Sequence, residues 1–479
     1  MTWLVAFLLL LVVALHAYRM TRVNDQPTVG DAFTYLRVAR EVRAQRALFP
    51  ELRFYYTTGE PERLQLPPLL MWQIALLPRV GYRGLMQLPM LTDLVTAAVV
   101  AVGGVAVLGL RPGAATLGAL VLLLTPINAV TAASLTPRPL GLLWLTLFGL
   151  AMVRYGLGGS VAWVVAAAVC AALALLAQRM VTQVLFILAP IVGAVLALAG
   201  YPVYLHLVTA TLGGLALAWL VTGGQYGRVI ADHWRRVRVH MRFGQQERQR
   251  LEFGDPGQIA KACPWLFLAA AAWIAAPPAL PPFALAAGLA TGCVVLAFLW
   301  VMGNSVNHMY FASPFVAWLV AGALPRQVPW LVAAGLVAAA CAVFIWREFN
   351  VVRRRRLARG WENVFRWVRE RGLAGRALVL PQVGFSPLVF YTPLVLVAAG
   401  HGSKALTFDR MAIRGRVAEP GFLAQFMRDN GVRYVFLDRS LAAGGLADVF
   451  AAGAPFRELF AAGDIAVFEA ADAVPGLSS

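Results

Sequence analysis

The sequence predicts a polytopic α-helical membrane protein of about eleven spans, with juxtamembrane helices in the first outer loop and a small C-terminal α/β soluble domain. Three observations predict it. The 479-residue chain is 60% hydrophobic and only 13% charged. Its apolar residues gather in runs near the roughly 20 residues that cross a bilayer. Beyond about residue 350 those runs give way to short strand-like stretches and an amphipathic helix.

Each element follows in order. Residues 2–18 are uncharged and lack the basic start and small-residue cleavage pattern of a removed signal peptide, so they are expected to be a retained first span. The first outer loop is 19–86. Within it, 31–46 has helical periodicity, with Tyr35, Val38, Ala39 and Val42 on one face and Arg37, Arg40 and Glu41 on the other. Such a helix lies on a membrane surface. Residues 66–78 are apolar but short and proline-flanked, which predicts a second juxtamembrane or re-entrant helix.

Ten further spans are expected near 87–110, 113–130, 139–154, 160–177, 180–200, 203–222, 262–278, 281–302, 308–323 and 328–348. A basic outer loop, 223–261, separates two of them. Its stretch 232–240 holds His233 and His240, which lack the further ligands a metal site needs and fit a basic amphipathic helix on a lipid surface. The division is thus a membrane domain over 1–350 and an α/β domain over 351–479. In the latter, 362–368 reads as a helix, 377–380 and 433–437 as buried strands, and 464–469 as a terminal strand.

The formal charge is +18, carried almost wholly by arginine, with Lys261 and Lys404 the only lysines. These arginines flank apolar spans, so lipid phosphates rather than nucleic acid are the expected anionic partners. Arg111, Arg154 and Arg326 in short turns place the N-terminus in the cytoplasm and the first loop and C-terminal domain outside, although 235–238 and 353–356 oppose that assignment. The four cysteines, Cys170, Cys263, Cys293 and Cys341, sit in or beside apolar segments and form no C-x-x-C pattern, which fits packing rather than a disulfide or zinc framework.

Asp31 opens the stretch 30–36 (Gly-Asp-Ala-Phe-Thr-Tyr-Leu), and some way on comes 66–72 (Leu-Pro-Pro-Leu-Leu-Met-Trp). A carboxylate just outside a first span, followed by an aromatic Pro-Pro-Leu segment, resembles the GT-C superfamily of integral-membrane glycosyltransferases. That resemblance implies a sugar moved from a polyprenyl-phosphate donor to a lipid, glycan or protein acceptor at the outer face of the cytoplasmic membrane. It implies inversion, with Asp31 as the general base. On the residues alone Asp31 also suits a helix N-cap, and the two roles are compatible.

The remaining candidates are substrate contacts. Arg138 lies between the third and fourth spans, where many GT-C enzymes carry a second acid; its presence there puts a two-carboxylate, metal-dependent mechanism in doubt, and a divalent metal stays an open cofactor. Arg179 interrupts two apolar segments, where a charge needs either a snorkelling path or a partner. Arg138 and Arg179 are the candidate phosphate ligands, and His308, Tyr35 and Trp72 complete the set. Asp93, inside a span, is expected to pair with another span. A transporter or flippase would instead show internal repeats and broken midplane helices; that reading, and a catalytically silent relative, are the alternatives.

Overall fold

The computed structural model describes residues 10, 32–56, 61–77, 80–132, 135–248, 256–275, 282–298, 307–327, 339, 359–381, 385–398, 413, 416–442, 445–450 and 455–470. Asp31, the first span and the span expected over 328–348 lie outside them. The described residues form two compact units, a helical one (67–73 and 77–327) and an α/β one (32–66, 74–76 and 359–470).

The helical unit is built from apolar helices that start where the sequence supplies a proline in the first turn. Pro89, Pro112 and Pro139 open Leu88–Ala106, Pro112–Leu123 and Arg138–Gly156, since a missing N–H costs nothing there. Four described helices are long and apolar enough to cross a membrane: Leu88–Ala106, Arg138–Gly156, Arg179–Leu198 and Pro202–Val221. Pro112–Leu123, Ala162–Ala177 and Ala284–Phe298 are shorter and equally apolar. The helix His308–Gln327 runs through the interior, with Met309 to Val316 almost entirely buried.

Close approach rests on small residues. A Cβ on Gly141 would lie 2.7 Å from that of Gln178, and one on Gly149 would lie 2.8 Å from the Phe315 ring. Helices in a bilayer gain little from hydrophobic burial against each other, so such van der Waals fit and a few polar ties hold them. Trp318 Nε1 donates to the Val100 carbonyl at 3.0 Å, and Asn128 Nδ2 donates to Ser313 Oγ at 3.0 Å.

Two successive apolar helices meet without a loop. Ala162–Ala177 ends at Gln178, whose backbone is extended (φ −144, ψ 129), and Arg179 begins the next helix at once. That helix then widens to a π turn over Val184–Leu188. Pro190 follows it, and a proline removes the N–H that would close the preceding α turn.

The α/β unit centres on a seven-stranded sheet of order β2-β1-β4-β3-β5-β7-β6. Its strands are β1 Glu51–Tyr56, β2 Pro61–Arg63, β3 Arg376–Leu380, β4 Val395–Val397, β5 Val432–Asp438, β6 Phe456–Ala462 and β7 Ile465–Ala470. The central pairs β1–β4, β3–β4 and β3–β5 are parallel; β1–β2, β5–β7 and β6–β7 are antiparallel. The sheet therefore recruits 51–63, a stretch the sequence pattern leaves within the first loop of the membrane domain. The helix Ala32–Gln45 belongs to the same unit. Tyr35, Val38, Ala39 and Val42 form its buried face as the periodicity predicts, and Phe33 meets Phe390 and Tyr391 of Ser386–Tyr391. Its inner face thus packs on protein, where the sequence pattern alone suggests a lipid surface.

Candidate functional site

Besides His206–Val221, three helices of the helical unit begin on an arginine or a histidine: Arg138, Arg179 and His308. None has an acidic residue in its first turn. The pattern runs against the helix macrodipole, which favours anions at N-termini and penalises cations there.

These starts are tied to one another. Gly141, one turn into the Arg138 helix, packs on Gln178 and Val181 at the start of the Arg179 helix. His308 Nε2 donates to Oε1 of Gln183, one turn into the Arg179 helix, at 2.7 Å. Tyr310, two residues after His308, donates its hydroxyl to Asp93 Oδ1 at 2.9 Å and lies within electrostatic reach of Arg138. Asp93 is therefore paired with another span, as its sequence position predicts.

The two arginines differ in state. Arg179 is 9% exposed, and its Nη1 stands 3.7 Å from Oδ2 of Asp232. It is a buried, paired cation rather than a snorkelling one. Gln178 Oε1 accepts from its backbone N–H at 2.6 Å. Arg138 is half-buried and makes no ion pair among the described residues. It is the open cation of the group.

The wall beside Arg179 comes from the helix Tyr226–Arg248, which fills most of the expected basic loop. Tyr226, Val229, Asp232, His233 and Val237 form its buried stripe. The Tyr226 hydroxyl donates to the Leu175 carbonyl at 3.0 Å. Burial pushes that phenol up, against the opposing pull of its Thr182 hydrogen bond and the Arg179 charge.

Arg138, Arg179 and His308 thus belong to one connected polar region. Trp72, in the helix Leu69–Leu76, is half-buried in the helical unit, and Tyr35 is buried in the α/β unit. Gln183, Tyr310 and Asp232 were not singled out by sequence. Asp232 carried a signal: it is an acid at the buried spacing of an arginine-rich helix. Among the described residues no three His, Cys, Asp or Glu side chains gather as a metal site.

The fold is shared with known proteins. No family model matches this chain, and no curated protein matches it in sequence. Among solved structures, ArnT from Cupriavidus metallidurans bound to undecaprenyl phosphate superposes with a TM-score of 0.61 at 15% identity, over 99% of both chains. The oligosaccharyltransferase of Archaeoglobus fulgidus gives 0.56 at 12% identity, over 92% of this chain and 72% of that one. These neighbours are GT-C glycosyltransferases. This chain has the GT-C fold. The mycobacterial arabinofuranosyltransferase AftD gives 0.53 at 16% identity, over 96% of this chain but only 41% of that longer one.

Proposed function

We propose that this protein is a membrane glycosyltransferase that moves a sugar from a polyprenyl phosphate to an acceptor hydroxyl at the outer face of the cytoplasmic membrane. The observation that carries the reading is the convergence of helix starts headed by Arg138, Arg179 and His308. Helix N-termini and cations at one place attract an anion. Placing Arg138 at such a start without one works against the helix dipole. A lipid phosphate supplies the missing charge, and the ArnT neighbour, bound to undecaprenyl phosphate, supports that choice.

In the reaction the acceptor oxygen attacks the anomeric carbon. The bond from that carbon to the phosphate oxygen breaks, its electron pair stays on the phosphate, and the configuration inverts. The acceptor proton passes to a carboxylate, for which Asp31 is the candidate. Arg138, the open cation, meets the charge that grows on the phosphate, which is where electrostatic stabilisation lowers the barrier. His308 donates to Gln183, so it positions the Arg179 helix rather than the sugar.

The test is binding. The purified protein in nanodiscs should retain polyprenyl phosphate far better than polyprenol of the same chain length. Equal retention of the two would remove the phosphate site and the transferase reading with it.

A further inference from the structure

The helix Tyr226–Arg248 carries a buried charge that the proposed reaction does not use. Its exposed side bears Arg228, Arg235 and Arg238, yet its buried stripe includes Asp232, whose side chain is 1% exposed. An acid buried there is costly unless its charge is matched. The match is Arg179 at 3.7 Å, an ion pair too long for a hydrogen bond between those two atoms. Gln178 caps the Arg179 backbone N–H, and Tyr226, itself hydrogen-bonded to Thr182, lies within electrostatic reach of Arg179. Arg179 also heads a 20-residue helix, so its charge adds to a helix N-terminus. Uncompensated, that combination would be a deep anion trap.

We propose that Asp232 is a positioning residue that offsets the charge of Arg179 so that the phosphate product is released after transfer. This deepens the transferase reading and rests on it. The donor is a phosphodiester with one negative charge, whereas the product is a phosphate monoester carrying about −1.5 to −2. Extra positive charge at the site therefore tightens product more than donor. A counter-carboxylate held on a separate helix removes that preference without removing the arginine.

The experiment measures affinity of the full-length protein in nanodiscs for polyprenyl phosphate, with Asp232→Asn and Asp232→Ser as neutral variants and Asp232→Glu as the conservative one. Both neutral variants should bind the product about tenfold more tightly than wild type. Product should also raise their melting temperatures more than it raises that of wild type, since ligand stabilisation grows with affinity. Asp232→Glu should stay close to wild type. In turnover, kcat and KM of the neutral variants should fall together as release slows. A merely structural carboxylate gives a lower melting temperature with unchanged or weaker product binding, and that result overturns the proposal. So does failure of both neutral variants to fold. If wild type itself retains polyprenyl phosphate no better than polyprenol, the transferase reading fails first and this inference falls with it.

Discussion

Arg138 and Arg154 bracket one helix, the first half-buried at its start and the second exposed in its last turn. Arg154 sits where the macrodipole welcomes a cation, and Arg138 where it does not. A residue kept against its local preference needs another reason to be there. Arg138→Gln is therefore expected to raise the dissociation constant for polyprenyl phosphate about tenfold or more, because a charge-assisted hydrogen bond is worth about 1.5–3 kcal/mol. Arg154→Gln should leave it unchanged. Binding isotherms of the two purified variants decide the matter, and equal effects would take Arg138 out of the site. Asp31 separates two roles in the same way. As a cap it is replaced by Asn at little cost, and a lost cap costs about 1 kcal/mol. As a base it is irreplaceable, and a lost base costs about 10²–10⁴ in rate. Asp31→Asn should keep its melting temperature and product affinity while nearly abolishing transfer of labelled sugar. Retention of most of the wild-type rate would leave Asp31 a cap.

At the level of elements, the break at Gln178 governs where Arg179 points, and the break depends on close packing. Gly141 admits the Gln178 side chain because it has no Cβ. Gly149, two turns along the same helix, admits Phe315 for the same reason. Overpacking at either site costs roughly 1–3 kcal/mol. Gly141→Ala and Gly149→Ala should therefore lower the melting temperature alike. Only Gly141→Ala, which displaces the residue beside Arg179, should also weaken polyprenyl phosphate binding. Matching losses of binding would show that general loosening, not local placement, sets the affinity.

Most of the described helices of the helical unit were legible in the sequence, because apolar runs mark them directly, but the expected span 113–130 is two helices, Pro112–Leu123 and Pro126–Ala132. Asp93 was legible too, since a carboxylate inside an apolar segment has to find a partner. The Arg179–Asp232 pair was half legible. The lone arginine announced a need, but its partner lies 53 positions away on another helix, and a single sequence holds no record of such a contact. The strands divided along similar lines. β3, β5 and β7 are runs of buried apolar residues and read as strands. β6 reads Phe-Arg-Glu-Leu-Phe-Ala-Ala with no residue fully buried, and β4 is only three residues long, so neither has a period to find.

For the whole molecule, the sheet constrains the topology more tightly than any charge count. β1 follows the first expected span, β4 follows the last, and the two pair in parallel at Tyr55–Leu396 and Tyr56–Val397. Strands hydrogen-bonded in one sheet occupy one side of a bilayer, because backbone N–H and C=O groups cannot be left unpaired in its core. The chain between residues 63 and 376 must then cross the membrane an even number of times. Ten expected spans satisfy this; nine or eleven do not. The constraint is independent of the arginine-rich stretches 235–238 and 353–356, which oppose the charge rule in the expected orientation. Single cysteines placed at Arg53 and at Arg457, both exposed on strands of this sheet, in a variant lacking the four native cysteines, should be labelled by the same membrane-impermeant reagent in intact cells. With the outer-face reaction proposed above, both should label without permeabilisation. Labelling of both only after permeabilisation would keep the sheet but reverse the orientation. Labelling of one site alone would break the pairing of β1 with the C-terminal strands, and with it the architecture described for the α/β unit.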